Sequence, residues 1–323
     1  MVGKRNEEID FIRGIAIILV VVGHYISGIY DVENYNTNII FKICYSFHMP
    51  LFIYISGYLA GKTSAYSLEW IRKNFERIMI PYIVWTILHC LVFKENIIRA
   101  LFVSPAYWFL INLFVYHVIT FISDSLKRKY VEPMVYCAVA LFYFVFKDAN
   151  LVIKNVVMFF PFYIFGRIVA KKKLEERIYK IGKHAILIYP VLMIFYTYKE
   201  YDKYGNALAG VLHINAKVIK LIMLGYNHYV VAIWGILFVL SFANIINTNW
   251  KGIRPIIYFG KTTLPIYLLH DFFFRNWFKE NLNGVGMILL AVIAPCVIYE
   301  TISYCNKSVA KFLFGSFHKI KMK

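Results

Sequence analysis

Long apolar blocks separated by short polar stretches run the length of the chain, with no water-facing stripe along the blocks. About 20 apolar residues in helical form span the hydrocarbon core of a bilayer. Blocks of roughly 17 to 22 residues meet that criterion about ten times, at 9–30, 38–60, 78–93, 106–123, 132–146, 152–170, 184–198, 228–246, 255–275 and 286–304. The expected fold is all-α: a polytopic bundle of about ten transmembrane helices, forming a single membrane domain over 1–323 with no appended soluble domain. Residues 199–227 depart from the pattern. KEYDKYGNALAG reads as an external loop, and VLHINAKVIKLIMLGY as an interfacial amphipathic helix, a re-entrant segment or another span.

Composition agrees with this, at 60% hydrophobic and 19% aromatic residues. A formal charge of +18 raises the question of a nucleic-acid partner, and the placement of the charges answers it. With the N-terminus in the cytoplasm, roughly 22 Lys and Arg fall on the inner side against roughly 8 outside. KKKLEERIYKIGK (171–183), DSLKRKYVE (124–132) and the tail HKIKMK all lie inside. The orientation is N-in and C-in, and the basic excess sets topology and meets anionic lipid rather than nucleic acid. The first block lacks a small-residue cleavage site, so it is expected to stay as the first span. Cys44, Cys90, Cys137, Cys296 and Cys305 fall in the blocks without metal spacing or a disulfide framework, and read as small packing residues. No metal site is expected.

The candidate chemistry lies in the polar residues that interrupt the blocks. The first block carries Asp10, Arg13 and His24, each costly in hydrocarbon unless buried and used. Arg13 and His24 are 11 positions apart, which places them within about 20° of one helical face and about 16 Å apart along the axis. Asp10, three residues before Arg13, is placed to pair with it, and Gly23 beside His24 suggests open space. In the second block His48 sits about 16 Å below the outer end, matching the depth of His24 on its antiparallel neighbour, so that two histidines share one cavity. Pro50 removes a backbone donor and leaves the Ser46 carbonyl without its helical partner, favouring a kink and a polar pocket. Ser56 and Gly57 read equally as close-packing residues or as part of that pocket. His89 and His117 have no supporting motif and read as packing histidines, and Glu300 is an intramembrane carboxylate whose partner is not evident.

D-F-x-R-G-x-A-I-x-x-V-x-x-x-H (Asp10 to His24) and F-H-M-P-L-F-x-x-I-S-G-Y-L (Phe47 to Leu59) closely resemble the acyltransferase-3 family of integral membrane acyltransferases. Within it the chain looks like the fucose 4-O-acetylase-like and polysaccharide O-acetyltransferase branch. The resemblance continues through R-I-M-I-P-Y (Arg77 to Tyr82), Y-W-F-L-I-N-L-F (Tyr107 to Phe114) and G-K-T-T-L-P-I-Y-L-L-H (Gly260 to His270). It implies about ten spans, a cytoplasmic acyl-CoA donor, usually acetyl-CoA, and transfer to a hydroxyl of a sugar or glycan on the other face of a bacterial plasma membrane. The family's basic residue, ten positions, histidine signature maps onto Arg13 and His24. Its inner R-x-x-R element is only partly present, because Asn74 stands where the first arginine would fall, leaving Arg72 or Lys73 to substitute ahead of Arg77.

Arg72, Lys73 and Arg77 precede the third block, Arg167 ends the sixth and Lys261 begins the ninth. Singly each reads as a topology charge, but together with Arg13 they make a candidate pocket for the donor's phosphates. Pro255 stands in place of the first glycine that a P-loop at Gly260-Lys261-Thr262-Thr263 would need. Trp108 and Asn112 share a helical face at i, i+4 and are candidates for the acceptor pocket. In the ninth block Pro265 is expected to break the helix. The family resemblance adds Tyr267 and His270 to the pocket, whereas sequence alone calls them interfacial.

Acyl transfer to an alcohol needs a base and stabilisation of an oxyanion. His24 is the expected base, with His48 orienting the hydroxyl, polarising the carbonyl or donating a proton. Alternatively, one of the two carries the acyl group as an acyl-imidazole. The competing class is a transporter or exporter of polysaccharide or its lipid-linked precursor, because intramembrane ionisable residues also mark substrate pathways.

Overall fold

The computed structural model describes residues 7–29, 35–63, 66–102, 106–126, 130, 134–135, 137–138, 141, 151–198, 200–246, 250–274 and 284–315. The described elements are α-helical: α1 (Glu7–Ile29), α2 (Ile39–Gly61), α3 (Leu68–Phe93), α4 (Trp108–Ser125), α5 (Leu151–Lys171), α6 (Glu175–Phe195), α7 (Tyr201–Leu212), α8 (Ala216–Ile245), α9 (Arg254–Lys261), α10 (Thr263–Phe274), α11 (Gly284–Cys305) and α12 (Lys307–Phe314). A short helix, Ile97–Phe102, follows α3. Among the described residues, eight helices are long and apolar enough to cross a membrane: α1 to α6, α8 and α11. The chain divides into two compact units, one of Met1–Phe52, Lys173–Thr263 and Phe273–Val292, the other of Ile53–Lys172, Leu264–Phe272 and Ile293–Lys323.

In the first unit the ends of the helices are fixed by polar contacts. At one end Arg254 Nη1 donates to Glu7 Oε1 at 2.9 Å, and the Tyr179 hydroxyl donates to Glu8. The acidic residues in the first turn of α1 also suit the positive end of its helix dipole. At the other end Asn36 bonds both backbone groups of Tyr198, and Asn227 Oδ1 accepts from Thr197 N at 2.9 Å. Between Tyr198 and Arg254 the chain therefore makes one net crossing, through α8. That helix has 30 residues, about 45 Å of rise against about 30 Å of hydrocarbon. Its surplus first turns pair with α7, where Gly205 meets Lys220.

Glycines let the helices of this unit approach at backbone distance. A Cβ on Gly14 would lie 2.0 Å from the Ile256 carbonyl oxygen, and one on Gly260 would lie 1.7 Å from that of Asp10. Each glycine of the α1–α9 crossing thus receives the carbonyl of a residue four positions before the other glycine, the small-residue packing that membrane helices use.

The second unit repeats the device. A Cβ on Gly57 would lie 2.0 Å from the Tyr163 carbonyl oxygen, and one on Gly166 would lie 2.0 Å from that of Tyr54. Here α4 and α5 are tied by the Tyr116 hydroxyl on the Val156 carbonyl at 3.0 Å and by Thr120 Oγ1 on the Tyr163 hydroxyl at 3.2 Å. The amphipathic α12, capped by Asn306, lies along the middle of α3. Trp85 Nε1 donates to the Leu313 carbonyl at 2.8 Å, Phe314 is buried against Trp85 and Tyr299, and Lys311 reaches Glu76 at 3.6 Å. Gly315, at φ +70°, turns the chain in a conformation that favours glycine, and its α-carbon faces the Arg77 carbonyl so closely that a Cβ would lie 2.0 Å from that oxygen.

Several expectations change. The third span begins ten residues early: α3 runs from Leu68 through a wide π-helical turn at Phe75–Met79, so Arg72, Lys73 and Arg77 ride on the helix instead of preceding it. Tyr201–Leu212, expected as an external loop, is helical, and the segment after it extends the eighth span. The ninth span is interrupted at Thr262, not at Pro265, which sits in the first turn of α10 where its missing N–H leaves no bond unmade. Helix α2 continues through Pro50. Cys44, Cys90 and Cys296 are buried as expected, whereas Cys137 and Cys305 are exposed. Most of the fifth block, 132–146, lies outside the described residues.

Candidate active site

The first unit holds two of the expected constellations, both carried by α1. At the Glu7 end, Asp10 is buried and lies 3.9 Å from Arg13 Nη1, while Arg13 Nη2 donates to Thr263 Oγ1 at 2.6 Å. The Gly14 and Gly260 crossing makes this contact reachable, because it brings the start of α10 onto α1. The break at Thr262 leaves the first amides of α10 outside the helical ladder, at the positive end of its dipole. Arg13, held by Asp10 and Thr263, is a cation that this end offers to an anion.

Eleven residues further along α1, His24 is half-buried with its ring centroid 6.5 Å from that of Tyr45. On α2, the buried His48 ring stands edge-on to the same tyrosine at 5.1 Å. Both histidines thus neighbour the ring of Tyr45. The open space expected at Gly23 is taken by that ring, 3.1 Å from where a Cβ would stand. His48 Nδ1 bonds the Cys44 carbonyl. A carbonyl only accepts, so Nδ1 carries the proton and Nε2 of the neutral ring carries the lone pair. Nε2 has no hydrogen-bond partner among the described residues. Ser46, one turn from Pro50, is held by the Ile43 carbonyl and the Tyr189 hydroxyl, both within 2.9 Å.

Tyr45 also belongs to a cluster at the end of the unit away from Glu7. Phe41 stacks on Tyr45 at 4.1 Å and on Tyr35 at 4.3 Å, and Tyr198 stands edge-on to Tyr45 at 5.1 Å and to Phe41 at 5.0 Å. Burial and the neighbouring Tyr35 push the Tyr198 hydroxyl up to about 12, so it stays protonated at neutral pH.

The second unit carries the remaining candidates. Arg72 is exposed and committed to carboxylates, with two bonds of 2.9 Å to Glu69 and Glu76 at 3.7 Å, and Lys73 shares Glu69 at 3.5 Å. Arg167 differs from both. It is 4% exposed, its guanidinium lies 5.1 Å from the centre of the Tyr66 ring, and Lys171 approaches the same ring at 5.6 Å. The Tyr66 hydroxyl is anchored on the Ala60 carbonyl. Ser56 is half-buried beside the Gly57 crossing. Trp108 stacks on Phe159 at 5.3 Å, and one turn later Asn112 is fully buried with neither amide atom hydrogen-bonded among the described residues. Tyr267 and His270 are buried rather than interfacial, packed through Tyr107 and Phe109. His270 Nδ1 points at the Ile266 and Tyr267 carbonyls, again directing the lone pair to Nε2.

Tyr45, Thr263, Tyr198 and Tyr66 were missed by sequence reasoning. Thr263 was within reach, since it falls inside the G-K-T-T motif, but the aromatic residues carry no local signal. His89 is buried as expected of a packing histidine, yet its nitrogens face Asp271 at 3.2 Å and Glu95 at 3.5 Å.

Comparison with known proteins adds the lineage. Residues 6–300 match the acyltransferase-3 family model, described as an acyltransferase domain. The nodulation protein NolL of Sinorhizobium fredii is 39% identical over 95 residues, covering 26% of this chain and 24% of that protein. The nodulation protein NolL of Mesorhizobium japonicum is 26% identical over 190 residues, covering 52% and 48%. The chain thus spans half or less of the length of these relatives, and no solved structure matches it. A family model covering nearly the whole chain, over a bundle of membrane-length helices, identifies it as a multi-pass integral membrane member of the acyltransferase-3 family.

Proposed function

We propose that this protein transfers an acetyl or other short acyl group from cytoplasmic acyl-CoA to a hydroxyl of an extracytoplasmic or lipid-linked sugar. The observation that carries the proposal is the division of α1: Arg13, bonded to Thr263, at one end, and His24 beside Tyr45, the ring that His48 also faces, at the other. The interval of about 16 Å between them suits an extended pantetheine arm linking phosphate to thioester. With the N-terminus inside, Arg13 faces the donor's compartment and the histidines lie toward the acceptor's. Among the second unit's own cations, Arg167 is the best suited to bind a phosphate, being buried with its aromatic support in place, whereas Arg72 and Lys73 are spent on Glu69 and Glu76.

In the proposed reaction His24 takes the proton of the acceptor hydroxyl as its oxygen attacks the thioester carbonyl. The tetrahedral intermediate collapses with cleavage of the C–S bond, and the imidazolium of His24 returns its proton to the departing thiolate. His48, with its lone pair on Nε2, accepts a hydrogen bond from a neighbouring hydroxyl of the acceptor sugar and so orients it, leaving the single proton of the reacting hydroxyl to His24. Of the roles open to His48, proton donation fits least, because the neutral ring has no proton on that nitrogen. The test is transfer from radiolabelled acetyl-CoA to envelope glycans in membranes carrying wild type or His24→Gln at equal expression. Label in the glycan fraction that falls at least a hundredfold in the variant supports the proposal. Equal labelling removes His24 as base, and glycan movement without any labelling supports an exporter instead.

A further inference from the structure

We propose that the aromatic cluster of Tyr35, Tyr45 and Tyr198, held in place by Asn36, is the surface on which the acceptor sugar lies before transfer. The proposal rests on the acyltransferase function argued above and names the acceptor side of the same site.

Four observations support it. The cluster is continuous with the histidines, since Tyr45 contacts His24, His48 and Tyr198 with ring centroids 5.1 to 6.5 Å apart. It lies at the end of its unit opposite Glu7, Glu8 and Arg254, which is the extracytoplasmic end when the N-terminus is inside. Its tyrosines are only partly buried, whereas Phe41 beneath them is fully buried, so the core of the cluster is purely apolar and the ring residues bearing hydroxyls keep accessible surface. Finally, Tyr198 is held by more than packing. Asn36 Oδ1 accepts from Tyr198 N at 2.6 Å and Asn36 Nδ2 donates to Tyr198 O at 3.1 Å, so one side chain satisfies both backbone groups of a residue in an irregular segment. The Tyr35 hydroxyl donates to the Ser27 carbonyl at 2.9 Å, one turn of α1 beyond His24.

A pyranose has two unlike surfaces: a face of C–H groups that packs on an aromatic ring and a rim of hydroxyls that needs donors and acceptors. Rings with an apolar body and a polar tip match both. A tyrosine held neutral also donates to a sugar oxygen without adding a charge beside the reacting centre.

The test uses wild-type membranes to label their envelope glycan with radioactive acetyl-CoA. The labelled glycan is recovered, de-acylated with mild alkali and returned as acceptor at varied concentration. Tyr198→Leu keeps apolar volume without the ring, Tyr198→Phe keeps the ring, and Asn36→Ala releases the clamp. The expected result is an acceptor KM raised roughly tenfold in Tyr198→Leu and several-fold in Asn36→Ala, raised only about two- to fivefold in Tyr198→Phe, which loses the hydroxyl but keeps the ring, with the acetyl-CoA KM unchanged in all three. Thermal stability in detergent, measured alongside, separates a folding defect from a binding one. A wild-type acceptor KM in a folded Tyr198→Leu protein overturns the proposal, as does a raised acetyl-CoA KM, which would put the cluster on the donor side. Absence of label in the wild type overturns the acyltransferase reading itself, a distinct outcome.

Discussion

Replacing Gly260 by alanine probes the joint on which the Arg13 grip depends. The added Cβ would stand 1.7 Å from the Asp10 carbonyl oxygen, where ordinary contact begins at 3.4 Å. Both sides are backbone in packed helices, so the strain has no flexible side chain to absorb it, and α9 must retreat from α1 by about 1.5 Å. Arg13 Nη2 and Thr263 Oγ1, now 2.6 Å apart, would then separate to roughly 4 Å, beyond hydrogen-bond range. Overpacking of this kind costs about 1–3 kcal/mol, and loss of a charge-assisted hydrogen bond about 1.5–3 kcal/mol. The assay pairs thermal unfolding in detergent with the acetyl-CoA KM: a lower unfolding temperature and a KM raised at least tenfold are expected. Gly210→Ala serves as control, because a Cβ there meets nothing within 4 Å, and a helical Gly-to-Ala change is worth up to about 1 kcal/mol of added stability. If Gly260→Ala keeps wild-type stability and KM, the crossing does not position Arg13 and the reasoning fails.

Other consequences follow from single side chains. His48→Asn keeps a donor for the Cys44 carbonyl but removes Nε2; transfer should fall at least tenfold while the unfolding temperature changes little, as initial rates and melting curves will show. Asn112→Leu removes a buried amide with no partner among the described residues, so melting should be unchanged or raised by a few degrees; unchanged transfer in that variant would rule Asn112 out of the acceptor pocket. Arg72→Ala should alter the acetyl-CoA KM less than twofold because its charge is spent on exposed carboxylates, whereas Arg167→Ala, which empties a buried cationic place over Tyr66, should raise it tenfold or more.

Helical periodicity made the placement of the candidate residues on α1 and α2 legible. Arg13 and His24 follow from counting along one helix, and His48 from counting down its neighbour, because an apolar span carries its own ruler of 1.5 Å per residue. What stayed hidden depends on partners far away in sequence. Gly14 and Gly260 are ambiguous singly; only their crossing shows that each receives a carbonyl, and only that crossing delivers Thr263 to Arg13. The start of α3 was missed because Arg72, Lys73 and Glu76 read as loop charges, although their spacing also suits ion pairs along a helix. The helix at Tyr201–Leu212 was missed because its glycines, Asn206 and polar first turn imitate a loop, and it is packing on the start of α8 that holds it helical. Asn36 and Tyr198, 162 positions apart, left no local trace.

The central claim is that α1 holds the donor at one end and moves the proton at the other. Its most direct test is the steady-state kinetics of Arg13→Ala and His24→Gln with acetyl-CoA varied against a fixed envelope-glycan acceptor. The account predicts a split: Arg13→Ala raises the acetyl-CoA KM at least tenfold with kcat little changed, and His24→Gln lowers kcat at least a hundredfold with KM little changed. The opposite assignment, or an equal loss of kcat alone in both variants, would contradict it.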